Sequence, residues 1–166
     1  MADLTPVLGL AALILVKEIG VPVPVPGDLV VIGAGVAASQ GQSDAAVALA
    51  ALILASIAGG MIQFTLLRSV ARTGVLRLLG RLGLADRIGS QTARLRDTGA
   101  SRIAVARMTP GVRVVTIAAG AIAGVRPRAF LVGLIVGNAV FIAAHFALGF
   151  VLGEPVVRVG GAVAPL

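Results

Sequence analysis

Two long segments without a charged residue constrain the fold of this 166-residue chain more than any other feature. They cover residues 45–67 and 129–153 and are 23 and 25 residues long. About 20 apolar residues are enough for a helix to cross a bilayer, so each segment is predicted to be a transmembrane helix. The whole chain is 58% hydrophobic and 13% charged. Soluble domains are about half apolar and a quarter charged, so the composition argues against a soluble enzyme.

The remaining apolar runs are too short to cross a membrane. The first two, residues 7–16 and 29–38, are separated by charged residues, glycines and three alternating prolines, Pro22, Pro24 and Pro26. Proline removes a backbone donor and pushes the preceding residue out of the helical region, so residues 21–27 are predicted to be extended or turned. Irregular backbone at membrane depth requires surrounding protein or a water-filled cavity.

We therefore interpret residues 4–38 as a re-entrant helical hairpin, with Asp28 as the N-cap of its second helix. The alternative is one helix over residues 7–38 that is merely kinked at its prolines. Three alternating prolines are difficult to place within a single helix, which favours the hairpin.

The segment 68–102 is polar and basic. Its eight arginines are Arg68, Arg72, Arg77, Arg81, Arg87, Arg94, Arg96 and Arg102. Positive loops remain in the cytoplasm, and leucines interleaved with the arginines suggest an interfacial helix on anionic headgroups. These arginines are therefore predicted to set the orientation of the protein rather than to contact a substrate.

The two halves of the chain follow the same plan. Pro26-Gly27 and Pro110-Gly111 lie 84 residues apart, and so do the first residues of the two long apolar segments. Each half is predicted to be a hairpin followed by a transmembrane helix, in residues 4–67 and 103–153, and the second hairpin has its tip at residues 107–113. Residues 154–166 form a tail predicted to be a poor helix, because it contains Pro155 and Gly160-Gly161.

Charge predicts how these halves are oriented. A cytoplasmic arginine-rich segment places residues 39–44, which lack Lys and Arg, outside. The first hairpin then enters from the outside and the second from the cytoplasm. The predicted fold is an all-α integral membrane domain with an inverted-topology repeat, a plan found in secondary transporters.

Four charges lie at or beside the two tips: Glu18, Asp28, Arg107 and Arg113. A charge at membrane depth costs at least about 2.5 kcal/mol, so such groups are paired or functional by default. One hypothesis is a structural lock of ion pairs, for example Asp28 with Arg113. The other is a site in which arginines and helix N-termini hold an anionic phosphate, and Glu18 or Asp28 carries a coupling proton.

Asn138 and His145 lie about two turns apart on the second long segment, on roughly the same helical face. They are candidates for a polar relay, although an intramembrane His more often hydrogen-bonds to a neighbouring helix. Gly133 and Gly137 form a GxxxG spacing, a weak indication of close helix packing. Lys17 is left outside the site, because its long side chain can reach the membrane surface.

The sequence argues against several other kinds of site. It contains no cysteine and a single histidine, so no metal site or thiol nucleophile is expected, and no cofactor is implied. It contains no Tyr or Trp to stack on bases, so nucleic acid is not an expected partner, despite the net charge of +7.

Two motifs resemble those of the DedA family, also called the SNARE-associated or VTT-domain family. The first runs from Glu18 through the alternating prolines to Asp28, followed by Ala34-Gly35; the second is Arg107-Met-Thr-Pro-Gly-Val-Arg113, followed by Ala119-Gly120. Gly137, Gly149-Phe150 and Gly153 resemble the family's last glycine-rich span. The resemblance covers residues 17–153.

The resemblance implies a multi-pass protein of the bacterial cytoplasmic membrane, with facing re-entrant hairpins, that supports membrane and envelope homeostasis. It implies translocation of a lipid such as undecaprenyl phosphate or a phospholipid, with dependence on the proton motive force. The family's essential acids fall on Glu18 and Asp28, and its essential arginines on Arg107 and Arg113. Expected partners are membrane lipids with an anionic phosphate headgroup, and a second copy of the chain is a further candidate.

The residues leave two other functions open. One is a non-transporting assembly or interaction factor, in which the four charges form a lock. The other is an intramembrane enzyme acting on lipid phosphates, which the sequence disfavours because it offers no clear nucleophile or metal site. The chain is therefore predicted not to be an enzyme.

Overall fold

The computed structural model describes residues 4–81, 99–109 and 112–163. All regular secondary structure in these ranges is helical: α1 (Thr5–Ile19), α2 (Gly27–Ser39), α3 (Ala45–Arg81), α4 (Ala100–Met108), α5 (Val112–Ala123) and α6 (Pro127–Val163). Two segments are long and apolar enough to cross a membrane, Ala45–Val70 in α3 and Pro127–Gly153 in α6. For the residues that the structure describes, the prediction of an all-helical chain with two such helices is confirmed.

The long helices expose much of their apolar surface. In the most apolar 18-residue stretch of α3 only 28% is buried, and in the corresponding stretch of α6 only 39% is buried. Large apolar side chains remain exposed on both, for example Leu54 at 66% and Leu148 at 49%. The core helix of a soluble protein would be mostly buried, so this exposed surface supports a membrane environment for both helices.

The predicted break in the first apolar region is confirmed, and the alternative of one kinked helix is wrong. Helix α1 ends at Ile19 because Gly20 adopts a left-handed conformation (φ +110°), in which its N–H bonds to the Lys17 carbonyl (3.0 Å). Helix α2 then begins at Gly27 and contacts α1. Residues 4–38 therefore contain a helical hairpin.

Asp28 is not the N-cap of α2, contrary to the expectation from the sequence. Pro26 occupies that position, with ψ +127°, and the helix begins two residues earlier than expected. Proline has its φ fixed and needs no donor at this position, so it can precede the first turn. Asp28 lies within that turn, where its negative charge still complements the positive end of the helix dipole.

The chain divides into two compact units, one of Met1–Ser56 with Ala139–Leu166 and the other of Ile57–Asn138. In the first unit, α2 packs very closely against α6. A Cβ on Gly149 would collide with the backbone of Ile32, and one on Gly153 with the side chain of Ser39. Glycines four residues apart on α6 thus allow the two helices to approach.

Alanine substitution on α2 tests this close approach. A Cβ on Gly35 would lie 2.8 Å from the Phe150 nitrogen and even closer to the Phe146 carbonyl oxygen, whereas one on Gly33 meets nothing within 4 Å. We expect Gly35→Ala to destabilise the protein by about 1–3 kcal/mol through overpacking. Gly33→Ala is the matched control and should be neutral or stabilising by up to about 1 kcal/mol. Thermal unfolding in detergent measures both, and equal midpoints would contradict this packing.

In the second unit, α4 packs against the first half of α6. A Cβ on Gly133 would lie 2.6 Å from the Ala100 carbonyl oxygen, and one on Gly137 would lie 2.7 Å from the Cβ of Arg107. The GxxxG spacing therefore does mark a close helix contact. A buried aromatic pair completes this core, with the rings of Phe64 and Phe130 stacked at 4.1 Å.

Both long helices extend beyond their predicted ends. Helix α3 continues to Arg81, so the first part of the arginine-rich segment is a direct continuation of the apolar helix. Arg68 in this part donates a hydrogen bond to the Val125 carbonyl (2.6 Å). Residues 82–98 of this segment, with Arg87, Arg94 and Arg96, lie outside the described residues, so the interfacial helix predicted for part of the segment stays a prediction there.

The prediction of a poor helix in residues 154–166 is wrong as far as Val163, where α6 ends. A proline within a helix removes one hydrogen bond, and a helix can continue beyond it when the neighbouring turns remain bonded. Residues 164–166 are outside the described part of the chain.

Candidate functional site

Arg107 is the most buried charged residue of the predicted site. It lies in the last turn of α4 and is only 2% exposed. Its Nε donates to Oδ1 of Asn138 (2.9 Å), and its Nη1 donates to the backbone carbonyl of Arg113 (2.9 Å). The guanidinium thus connects α4 to α6 on one side and to the start of α5 on the other.

The local sequence of α6 explains how a guanidinium fits there. A Cβ on Gly137 would lie 2.8 Å from the Ala104 carbonyl oxygen and closer still to Arg107, so only glycine lets α4 approach at this point. The next residue, Asn138, is fully buried and presents an amide oxygen, the acceptor that an arginine requires. A glycine that admits α4 is therefore followed directly by the residue that binds its arginine.

Two hydrogen bonds to the backbone of Arg113 hold this residue in position. Its N–H donates to the Thr109 carbonyl (3.1 Å), and its own carbonyl accepts the bond from Arg107. Its side chain is half-buried and so more accessible than that of Arg107. The predicted supporting residues Pro110 and Gly111 lie between these contacts, but outside the described residues.

The two acids belong to the first hairpin. Glu18 lies in the last turn of α1 and Asp28 in the first turn of α2, and both are half-buried and engaged in polar interactions. Pro26 and Gly27 lie between them, as predicted, with Gly27 buried at the first position of α2.

Lys17 belongs to this hairpin as well, contrary to its exclusion from the site. Its side chain lies over Gly27, with Cδ and Cε only 3.1 and 3.2 Å from the place of a Cβ there, and with Nζ closer still. The lysine is folded across the break instead of extending away from it. A glycine at the start of α2 is the sequence signal that could have indicated this contact, since any other residue would displace the lysine.

Asn138 and His145 have different partners. Asn138 accepts the bond from Arg107, whereas His145 bonds through Nδ1 to the carbonyl of Phe141 (2.9 Å), one turn earlier on its own helix. The His145 ring also stacks on Phe141, with centroids 4.0 Å apart. Neither of these contacts joins Asn138 to His145.

The structure thus places the two arginines together in one unit and the two acids together in the other. Every buried side-chain nitrogen or oxygen of the described residues has a hydrogen-bond partner. The same residues contain no group of three or more metal-ligating side chains. Comparison with family models, characterised proteins and solved structures gives no match for this chain.

Proposed function

We propose that this protein is a DedA-like lipid translocase of the bacterial cytoplasmic membrane. It moves a lipid with a phosphate headgroup, such as undecaprenyl phosphate or a phospholipid, between the two leaflets. The observation that carries the proposal is the arrangement of Arg107, which is buried and fixes the backbone of Arg113 at a break between two short helices. A polar break beside a membrane-length helix is the plan on which transporters build their binding sites.

The order of helices supports a repeat. Two short helices precede each long one, as α1 and α2 before α3, and as α4 and α5 before α6. The short helices of each pair contact one another. We propose that the two hairpins are re-entrant and enter from opposite sides, because the arginine-rich segment between the halves holds them to opposite orientations.

The site residues then divide by role. Arg113 binds the phosphate, since its side chain is the more accessible of the two and arginine offers a fork that matches phosphate oxygens. Arg107 holds Arg113 in place from its buried position. Glu18 or Asp28 couples lipid movement to protons, and the acyl or prenyl chains remain in the bilayer throughout.

Cysteine labelling tests the proposed orientation without interference, because the natural chain has no cysteine. We expect Ser43→Cys to react with a membrane-impermeant maleimide from outside the cell, and Ser90→Cys to react only after the membrane is opened. Labelling of both from the same side would contradict the inverted repeat.

Transport itself is tested with the purified protein in liposomes, across a panel of fluorescent lipids and with or without a pH gradient. We expect flipping of phosphate lipids that accelerates when protons can flow. A rate unaffected by the gradient would remove the coupling role of Glu18 and Asp28 and leave a passive scramblase.

The second candidate is a non-transporting assembly factor, in which Asp28 and Arg113 form an ion pair that locks the hairpins. Exchanging the two residues separates the candidates. A lock should tolerate the exchange and keep its thermal stability, whereas we expect a translocase to lose flipping, because the phosphate would then meet a carboxylate. Release of phosphate from a lipid phosphate would instead support an enzyme.

A further inference from the structure

The α4–α5 hairpin carries a groove that the proposed site does not use. The groove has a volume of about 290 Å³ and lies between the two helices. Its walls are mostly small aliphatic residues, among them Ala106, Val112, Val115, Ala119 and Ala123, and its charged residue is Arg102. Arg102 is exposed and lies near the start of α4, while Val112 begins α5.

An adjoining hollow of about 410 Å³ shares Arg102, Ala106 and Val112 with this groove and extends to Thr109. The carbonyl of Thr109 accepts the N–H of Arg113. The two hollows therefore follow the hairpin from Arg102 at its base to the backbone that positions Arg113 at its tip.

We infer that this groove binds one chain of a lipid whose phosphate headgroup carries a net negative charge, and that Arg102 pairs with the phosphate. Aliphatic walls suit an acyl or prenyl chain, and the guanidinium offers the complementary charge and a fork for phosphate oxygens. A helix from a second copy is the other candidate occupant, and the experiment below distinguishes it from a lipid. The inference deepens the proposed function and rests on its membrane placement.

Arg102 therefore has a role separate from the other arginines of its segment. It holds a lipid at the base of the hairpin, and the hollow beside the groove continues to Thr109, whose carbonyl accepts the N–H of Arg113. The lipid is held at Arg102 before its headgroup reaches the tip, so removal of Arg102 weakens binding while the backbone contact of Arg107 with Arg113 stays intact.

Fluorescence quenching by brominated lipids tests this site, because the chain has neither Trp nor Tyr and a single introduced tryptophan dominates the signal. Ile122→Trp places the reporter beside the groove, at a residue that is 49% exposed. We expect brominated phosphatidylglycerol to quench it at least about twofold more strongly than the same fraction of brominated phosphatidylcholine. Leu54→Trp, on the exposed face of α3, is the control and should show no headgroup preference.

Two substitutions in the Ile122→Trp background complete the test. Arg102→Gln removes the charge, and Ala119→Leu fills the groove at an exposed position; we expect either to abolish the preference. Equal quenching by the two lipids at Ile122→Trp would overturn the inference, and so would a preference that survives both changes. Fluorescence that follows the protein-to-lipid ratio instead of the headgroup would indicate a second copy in the groove and would also overturn it.

Flipping assays on the same variants separate this inference from the proposed function. If the headgroup preference is absent but the protein still flips lipids, lipid binding in the groove is wrong and the proposed translocase function is kept. If Arg102 is required for the preference but the protein moves no lipid, the groove is a lipid-binding site and the proposed translocase function is wrong.

Discussion

Replacing Arg113 by alanine is expected to lower the rate of headgroup flipping at least about tenfold in reconstituted liposomes. A hydrogen bond to a charged group contributes about 1.5–3 kcal/mol, and every 1.4 kcal/mol or so is a factor of ten. The contact with Arg107 survives the substitution, because Arg107 bonds to the backbone carbonyl of Arg113 and not to its side chain. The loss should therefore appear in transport, with this backbone contact kept.

Two matched variants sharpen this result. Arg113→Lys keeps the charge but loses the planar fork, so an intermediate rate is expected. Arg128→Ala removes an exposed arginine from the first turn of α6 and should leave the rate unchanged. Wild-type flipping by Arg113→Ala would remove this residue from the site, and an equal loss in Arg128→Ala would show that only general surface charge matters.

Replacing Asn138 by leucine is expected to destabilise the protein by about 3 kcal/mol. Leucine is similar in size but offers no acceptor, so the Nε of the buried Arg107 loses its partner. An unsatisfied buried group costs about 1–3 kcal/mol, and more when it is charged. The midpoint of thermal unfolding in detergent should fall by about 6–12 °C.

Asn138→Asp is the matched control for this prediction. Aspartate keeps an acceptor oxygen at the same place and adds a charge opposite to that of Arg107, so stability should be retained. Flipping should also separate the two variants, because a loosened Arg107 no longer fixes the Arg113 carbonyl. If both variants lose stability equally, the contact between Arg107 and Asn138 does not carry the stability assigned to it.

Sequence reasoning locates the membrane-length helices and the first break for simple physical reasons. Absence of charge over more than 20 residues leaves few structures other than a spanning helix, and alternating prolines cannot continue one. Both features are local, so they can be identified without knowledge of tertiary structure. The close contact of Gly133 and Gly137 with α4 is indicated by spacing alone.

Local sequence patterns do not predict contacts between residues that are far apart in the chain. Arg107 and Asn138 are 31 residues apart, and nothing in their spacing indicates that the two side chains meet. From the sequence, Arg107 is a candidate for binding the phosphate and Asn138 for a polar relay; the structure adds that their side chains bond to each other. Lys17 is left out of the predicted site for the same reason, because its contact with Gly27 depends on how the hairpin closes.

Helix ends differ from expectation where the average preference of one residue type competes with the structure around it. Pro155 is expected to weaken the helix, yet α6 continues to Val163. Asp28 is expected to cap α2, yet the helix begins two residues earlier, after Pro26. In each case the backbone preference of one residue is outweighed by the turns around it.

Lipid flipping by the wild-type protein is the most direct test of the central claim. Liposomes containing a fluorescent phospholipid are prepared with and without the purified protein, and dithionite is added outside to bleach the exposed dye. If the protein is a translocase, the inner-leaflet dye reaches the surface and nearly all fluorescence is lost. If bleaching stops at the outer leaflet, as in protein-free vesicles, for every phosphate lipid and in both the presence and absence of a pH gradient, the protein does not move lipids.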